Sequence, residues 1–318
     1  MKYLVLILTL FLPFAYTSAQ TNLNLSGNSE LSIEFDTSYF TPFSEVTASL
    51  NDYAQTAQTN KIYWKIDGKS IPEFNNQRSI KLTLKNVGET TNVQVFVENA
   101  NKQTVSAKRT INPIYLDIIV EPQTRTPSFY KSRALPSYGS TVNLTAMING
   151  NINNTDYVYN WYLNDVHLDK GSVVGKYKTS AVLGMDDYNT VTLSVSKTTG
   201  ELLAKRVIEI APVEPELHFY EVNALYGINK NPILNSLNLI GNSAIVRAEP
   251  YYLDIKTYNK PQYVEWKIDG VMSPNRNNNP YEATLARPEI SGKSKVGFHV
   301  RNLDNILQGV EDNFIINY

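Results

Sequence analysis

Apolar and polar positions alternate along most of this chain with a period of two. The alternation is clearest around its three tryptophans, Trp64, Trp161 and Trp266. Each is preceded two positions back by an apolar or aromatic residue (Ile62, Tyr159, Val264), which places the pair on one face of a strand. Trp64 continues as Lys65-Ile66-Asp67-Gly68 and Trp266 as Lys267-Ile268-Asp269-Gly270; Trp161 continues in weaker form as Tyr162-Leu163-Asn164-Asp165. Asp-Gly and Asn-Asp tolerate the positive φ of a tight hairpin turn. The pattern therefore predicts, three times over, a strand with an inward tryptophan that runs into a hairpin.

The repetition extends well beyond these residues. About 30 residues after each tryptophan lies an alternating strand, Val93–Val97, Val191–Val195 and Val296–Val300. Before each lies another, opening at Val46, Val142 and Ala244, with the spacing to the tryptophan longest in the third repeat. A polar turn and a closing strand end each repeat near Ile111, Ile210 and Ile316. Self-similarity at a fixed period signals modular architecture. The first repeat reads as about seven short strands: Leu31–Phe35, Val46, the Trp64 hairpin, Ile80–Leu84, Val93–Val97 and Thr104–Ile111. Short Pro-containing links, Asn112-Pro113 and Ala211-Pro212-Val213-Glu214-Pro215, join the repeats, and proline stiffens such links. The expected organisation is a leader at 1–19, domains at 20–112, 113–212 and 213–318, each folding independently, and a semi-rigid rod.

The repeats differ between their first and second strands. The first has a short link, Asp36 to Glu45; the others carry about 20 residues, Glu121 to Thr141 and Asn223 to Ser243. Loops of that length are uncommon in compact domains and are often functional. The plainer reading is that each holds an extra edge strand crossing between sheets, such as Ser236 to Ile240. The longer link of the second repeat gathers Arg125, Tyr130, Lys131 and Arg133, residue types suited to anchoring a partner. These four are the candidate partner-binding residues, and the three tryptophans are the candidate structural core.

Composition narrows the setting. A formal net charge of −1 over 318 residues gives no field that favours nucleic acid or an anionic membrane surface. The chain opens with Lys2, an apolar run from Tyr3 to Tyr16, and Thr17-Ser18-Ala19. That reads as an export signal cleaved after Ala19, and no later stretch is apolar enough to span a membrane. Cysteine is absent, so an exported chain of this kind relies on its cores alone.

The Trp-x-Ile-Asp-Gly strand, the alternating strand that follows and the exported start resemble the immunoglobulin-like and PKD-type domains of bacterial surface proteins. The paired cysteines of immunoglobulin domains are missing, and Lys-Ile-Asp-Gly replaces the Asp-Phe-Gly-Asp-Gly hairpin usual in PKD repeats. The resemblance implies all-β, tandem sandwiches and a role as spacer, adhesive module or protein-contact module.

Little in the residues points to catalysis. His167, His218 and His299 lie far apart in sequence, and no two share metal-ligand spacing. Asp186-Asp187 lacks the ligand ladder a calcium loop needs. No phosphate-binding glycine loop and no Gly-x-Ser-x-Gly occur, and thiol catalysis is excluded. A tryptophan at one register in every repeat reads as core rather than as a sugar-stacking platform. The expectation is an exported, non-enzymatic surface or envelope protein without a cofactor, contacting protein or glycan. The alternatives are an accessory component of an envelope secretion or pilus assembly, and an envelope protein that binds or hydrolyses polysaccharide.

Overall fold

The computed structural model describes residues 31–53, 61–98, 102–152, 154–168, 171–273 and 278–318. The expected export signal and its cleavage point lie outside them. The architecture is strands and short turns almost throughout.

In the first repeat, β1 (Leu31–Phe35), β2 (Glu45–Asp52) and β5 (Ser79–Thr83) form one sheet. The other contains β3 (Lys61–Ile66), β4 (Lys69–Ser70), β6 (Thr91–Glu98) and β7 (Thr104–Ile111), in the order β4-β3-β6-β7. The second repeat reproduces this. Its sheets are β13 (Lys178–Val182)-β9 (Thr141–Ile148)-β8 (Leu116–Pro122) and β11 (Val166–His167)-β10 (Val158–Leu163)-β14 (Asn189–Ser196)-β15 (Leu202–Ile210), with β12 (Val173–Val174) also paired to β10.

The third adds strands at both edges. One sheet runs β17 (Gly227–Ile228)-β16 (Glu216–Asn223)-β19 (Ser243–Tyr251)-β22 (Glu282–Ala286). The other runs β18 (Ser236–Asn238)-β24 (Gly309–Asn317)-β23 (Lys293–Arg301)-β20 (Tyr263–Ile268)-β21 (Val271–Ser273). Three strands facing four, with the first, second and fifth strands on one side, is the order of an immunoglobulin-like sandwich. A short helix, α1 (Ile255–Asn259), interrupts the third repeat.

By internal contact the chain divides into two compact units. Among the described residues, one comprises 31–34 with those of Ala48–Ile80 and Asn92–Arg109; the other comprises those of Phe35–Thr47, Lys81–Thr91 and Thr110–Tyr318.

The tryptophans occupy equivalent interior sites. Trp64, Trp161 and Trp266 are 0, 0 and 3 % exposed. Each indole N–H donates to a backbone carbonyl about one strand later: Gln77 at 2.9 Å, Lys176 at 3.0 Å and Pro280 at 3.0 Å. A buried indole needs such a partner, so this bond fixes the ring's orientation as well as its depth.

The hairpin residues contribute more than a turn. Asp67, Asn164 and Asp269 have φ of 50°, 48° and 50°, and the residue after each is also left-handed. Their Oδ1 atoms accept N–H bonds from Asn92, Thr190 and Lys295 at 2.9, 2.8 and 2.8 Å. Each turn is thereby stapled to the opening of the alternating strand 25 or 26 residues later. An Asp or Asn meets both demands, since it tolerates positive φ and supplies the acceptor.

The long links are crossovers between sheets. Asn223 to Ser243 contains β17 and then β18, whose residues pair in parallel with the end of β24. The end of the second repeat's link makes the same move in reduced form, through a parallel bridge between Ser137 and Val213.

Candidate partner-binding surface at the joint of the second and third sandwiches

The second repeat's crossover does not loop into solvent. It lies along the third sandwich. Thr124 bridges to Asp254; Arg125 N–H donates to the Leu253 carbonyl at 2.7 Å, and Tyr252 N–H returns to the Arg125 carbonyl at 2.7 Å. Side chains extend the pairing. Ser137 Oγ donates to the Tyr252 carbonyl at 2.6 Å. Gln308 Nε2 donates to Ser137 Oγ at 3.0 Å and to the Tyr138 carbonyl at 2.6 Å, while its Oε1 accepts from Asp254 N–H at 2.6 Å. Asn305 Nδ2 donates to the Gly139 carbonyl at 2.9 Å. Asp254 caps α1 through Lys256 N–H with one oxygen and accepts Thr141 N–H with the other.

Gly139 shows why this register is fixed. Its φ is +74°, and a Cβ there would lie 2.8 Å from both Asn305 Oδ1 and Leu307 Cβ. Only glycine combines that backbone with so close an approach.

Beside these bonds sits an aromatic cluster. Tyr220, Tyr251 and Tyr252 are buried beneath Phe129, Tyr130 and Leu135 of the crossover. Tyr130 and Tyr252 share a hydroxyl bond of 2.8 Å, as do Tyr220 and Tyr251. Tyr130 meets Tyr251 edge-on at 5.3 Å, and Phe129 meets Tyr220 at 5.2 Å. Burial first, then the hydroxyl bond and nearby charge, pushes the Tyr252 phenol up to about 12. The Tyr252 hydroxyl is therefore protonated throughout the ordinary pH range.

A charged chain completes the joint. Glu249 is buried, with Arg247 Nε 2.6 Å from Oε1 and Arg125 Nη2 3.8 Å from Oε2. Neither Oε2 nor Arg247 Nε makes an aligned hydrogen bond. Burial outweighs both guanidiniums and holds the Glu249 carboxyl above the usual carboxylate range. Arg125 also stacks over Tyr258, 4.8 Å from the ring centre.

Of the four candidate partner-binding residues, Arg125 and Tyr130 are thus engaged inside the chain, while Lys131 and Arg133 are exposed. The joint borders a cleft of about 490 Å³ lined by Tyr138, Met185, Glu214, Leu307, Val310 and Glu311. A second cleft of about 350 Å³ opens over Gly297 and reaches the same Glu311, with Glu265, Lys267, Lys295 and His299 around it. There Glu265 accepts from Lys267 at 2.7 Å and Tyr263 at 2.5 Å, which keeps its carboxyl below the usual range. Among the described residues no group of three or more His, Asp or Glu is placed to hold a metal.

Sequence reasoning did not single out Glu249, Tyr251, Tyr252, Asp254, Asn305 or Gln308. One signal was present: the third repeat has the longest spacing from its second strand to its tryptophan. The extra residues hold the Tyr-Tyr-Leu-Asp turn and α1.

The strand order defines the class: tandem immunoglobulin-like β-sandwiches. No protein-family model matches the chain, and no curated protein sequence does. Among solved structures, it is similar to the fibronectin(III)-like modules of Clostridium thermocellum CbhA, at 10% identity over 57% of this chain and 93% of that one, with a TM-score of 0.29. It is similar also to the three N-terminal domains of the bacteriophage RB49 highly immunogenic outer capsid protein, at 12% identity, 90% and 97% coverage, and a TM-score of 0.27. Sidekick-1 immunoglobulin domains 1–5 match at 14% identity, 92% and 60% coverage, and a TM-score of 0.31.

Proposed function

We propose that this chain is an exported, non-enzymatic surface or envelope protein that presents a fixed pair of sandwiches to a protein or glycan partner. In this reading residues 1–19 are a cleaved leader and 20–112, 113–212 and 213–318 are the three domains. The observation that carries the reading is the joint. A crossover that spends Arg125, Tyr130 and Ser137 on the neighbouring sandwich holds the adjoining cleft in one shape, and preorganised surfaces bind with less entropy loss. The non-enzymatic reading is supported by the described elements from Leu31 onward all belonging to the repeated sandwich pattern. Lys131 and Arg133 stand exposed on the same crossover and are the residues of that segment available to a partner.

The test compares wild type with a Lys131→Ala/Arg133→Ala double variant by cross-linking pull-down from intact cells. The reading expects unchanged folding and loss of the cross-linked partner. Recovery of the same partner by the double variant removes this surface from the proposal. Release of sugars or peptides from purified envelope polymer by the wild-type protein overturns the non-enzymatic reading.

A further inference from the structure

One outward position on the tryptophan-bearing sheet differs sharply between the three sandwiches. The residue after each tryptophan pairs with Gln94 in the first repeat, Thr192 in the second and Gly297 in the third. The tryptophans point inward, so these partners point outward. Two sandwiches therefore fill this place with a side chain, and the third leaves bare backbone.

The fold does not require that glycine. Pairing runs without a shift through Gly297, to Lys267 on one side and Asn313 on the other, so it marks no bulge. Its φ is not positive, and a Cβ there would meet nothing nearer than the Asp312 carbonyl at 3.8 Å and Asn313 Cβ at 3.9 Å. Those are ordinary contacts. A glycine inside a strand weakens it, and one that makes neither bulge nor bend leaves room for a close approach to the backbone.

The space it opens is the cleft of about 350 Å³. That lies within the usual range of ligand sites, roughly 300–1,000 Å³. Lys267 and Asn313 flank it on the neighbouring strands, about 10 Å apart by the spacing of strands. Lys295 and His299 bound it along β23.

Glu265 gives the cleft a placed acceptor. Its side chain is only 5 % exposed, and its two bonds, from Lys267 Nζ and the Tyr263 hydroxyl, both fall on Oε2. Among the described residues Oε1 makes no hydrogen bond, and Glu265 lines the cleft. The Lys295 ammonium and the Asn313 amide, on the same lining, also make none. Glu265 and Glu311 offset Lys267 and Lys295, while Asp312 presents its carbonyl there. A charged ligand would thus gain little net attraction. The cleft also lies on the face of the sheet, where β20 and β24 already occupy both sides of β23, so an extended peptide cannot add as a strand. Separate donors and acceptors around a bare floor suit adjacent hydroxyls, each of which donates and accepts.

We propose that the cleft over Gly297 binds a neutral sugar unit of a glycan, whose hydroxyls bridge Glu265 to Lys295 and Asn313 while the ring lies on the Gly297 backbone. Lys131 and Arg133 take no part, so this site stands or falls separately from the surface proposed above.

Saturation-transfer difference NMR on residues 20–318, titrated in turn with maltotetraose, cellotetraose, chitotetraose and mannotetraose, tests it. At least one should bind with a Kd of roughly millimolar or tighter. Gly297→Thr, which installs the residue of the second sandwich, should weaken that binding by about tenfold or more without lowering Tm. Inorganic phosphate and spermidine should not compete. No binding by any of the four sugars, binding that Gly297→Thr leaves intact, a Gly297→Thr chain that loses its fold, or displacement by phosphate or spermidine would each overturn the proposal.

Discussion

Replacing Gln308 by Ala probes the joint directly. The side chain is 1 % exposed and makes three hydrogen bonds, two of them to the second repeat's crossover and one to Asp254 N–H. At a net ~1 kcal/mol per bond, and with buried partners left behind, the loss should be about 3–4 kcal/mol. The bond to Ser137 Oγ can be isolated in a cycle with Ser137→Ala, because the Ser137 bond to the Tyr252 carbonyl is lost in both arms that carry that change. A coupling near ~1 kcal/mol is expected for residues in direct contact. The assay is urea denaturation of residues 20–318 followed by tryptophan fluorescence, with Trp161 and Trp266 reporting on the two sides of the joint. In the wild type the two sandwiches should unfold in one transition; in Gln308→Ala the transitions should separate. A loss under ~1 kcal/mol together with single variants that add within ~0.3 kcal/mol would refute the claim that these bonds hold the sandwiches together.

Three other outcomes follow from the same structure. Truncating Trp64, Trp161 or Trp266 to Ala should each destabilise its own sandwich by about 3–5 kcal/mol, since each loses a packed ring and a buried N–H bond; a denaturation midpoint that hardly moves would place that ring outside the core. Glu249 has a folded-state pKa above its unfolded value, so its contribution is fully present below the unfolded carboxylate pKa and declines as pH rises through the interval up to the folded one. Hydrogen exchange at the joint should therefore quicken as pH rises through that interval, after correction for intrinsic rates, and Glu249→Gln should flatten the dependence; an opposite slope would contradict the burial argument. Amino-terminal sequencing of the mature protein should begin at Gln20, and a start at Met1 in the cytoplasmic fraction would rule out export.

The sequence by itself determined the sandwiches. A period-two pattern with one tryptophan per repeat fixes which face of a strand is buried, because a one-residue slip would turn every side chain outward. Asp-Gly and Asn-Asp at a constant distance from that tryptophan fix where the strand turns. Both signals are local, so the strands from Leu31 to Thr104–Ile111 and their counterparts could be placed from residue order alone. The extra strand at Ser236 was legible for the same reason.

What only the tertiary structure decided is the use of the second crossover. Arg125 and Tyr130 have the chemistry of a partner-binding loop, and in sequence nothing distinguishes a partner outside the chain from one more than 100 residues along it. Their mates Glu249 and Tyr251 lie on an ordinary strand, Tyr252 opens the turn after it, and Asn305 and Gln308 sit in another turn. Their roles arise from long-range packing, which brings a positive-φ glycine at 139 against Asn305 and Leu307 and puts a carboxylate under two guanidiniums. Period and turn chemistry report which face of an element is buried, whereas the identity of the surface that buries it is a property of the assembled fold.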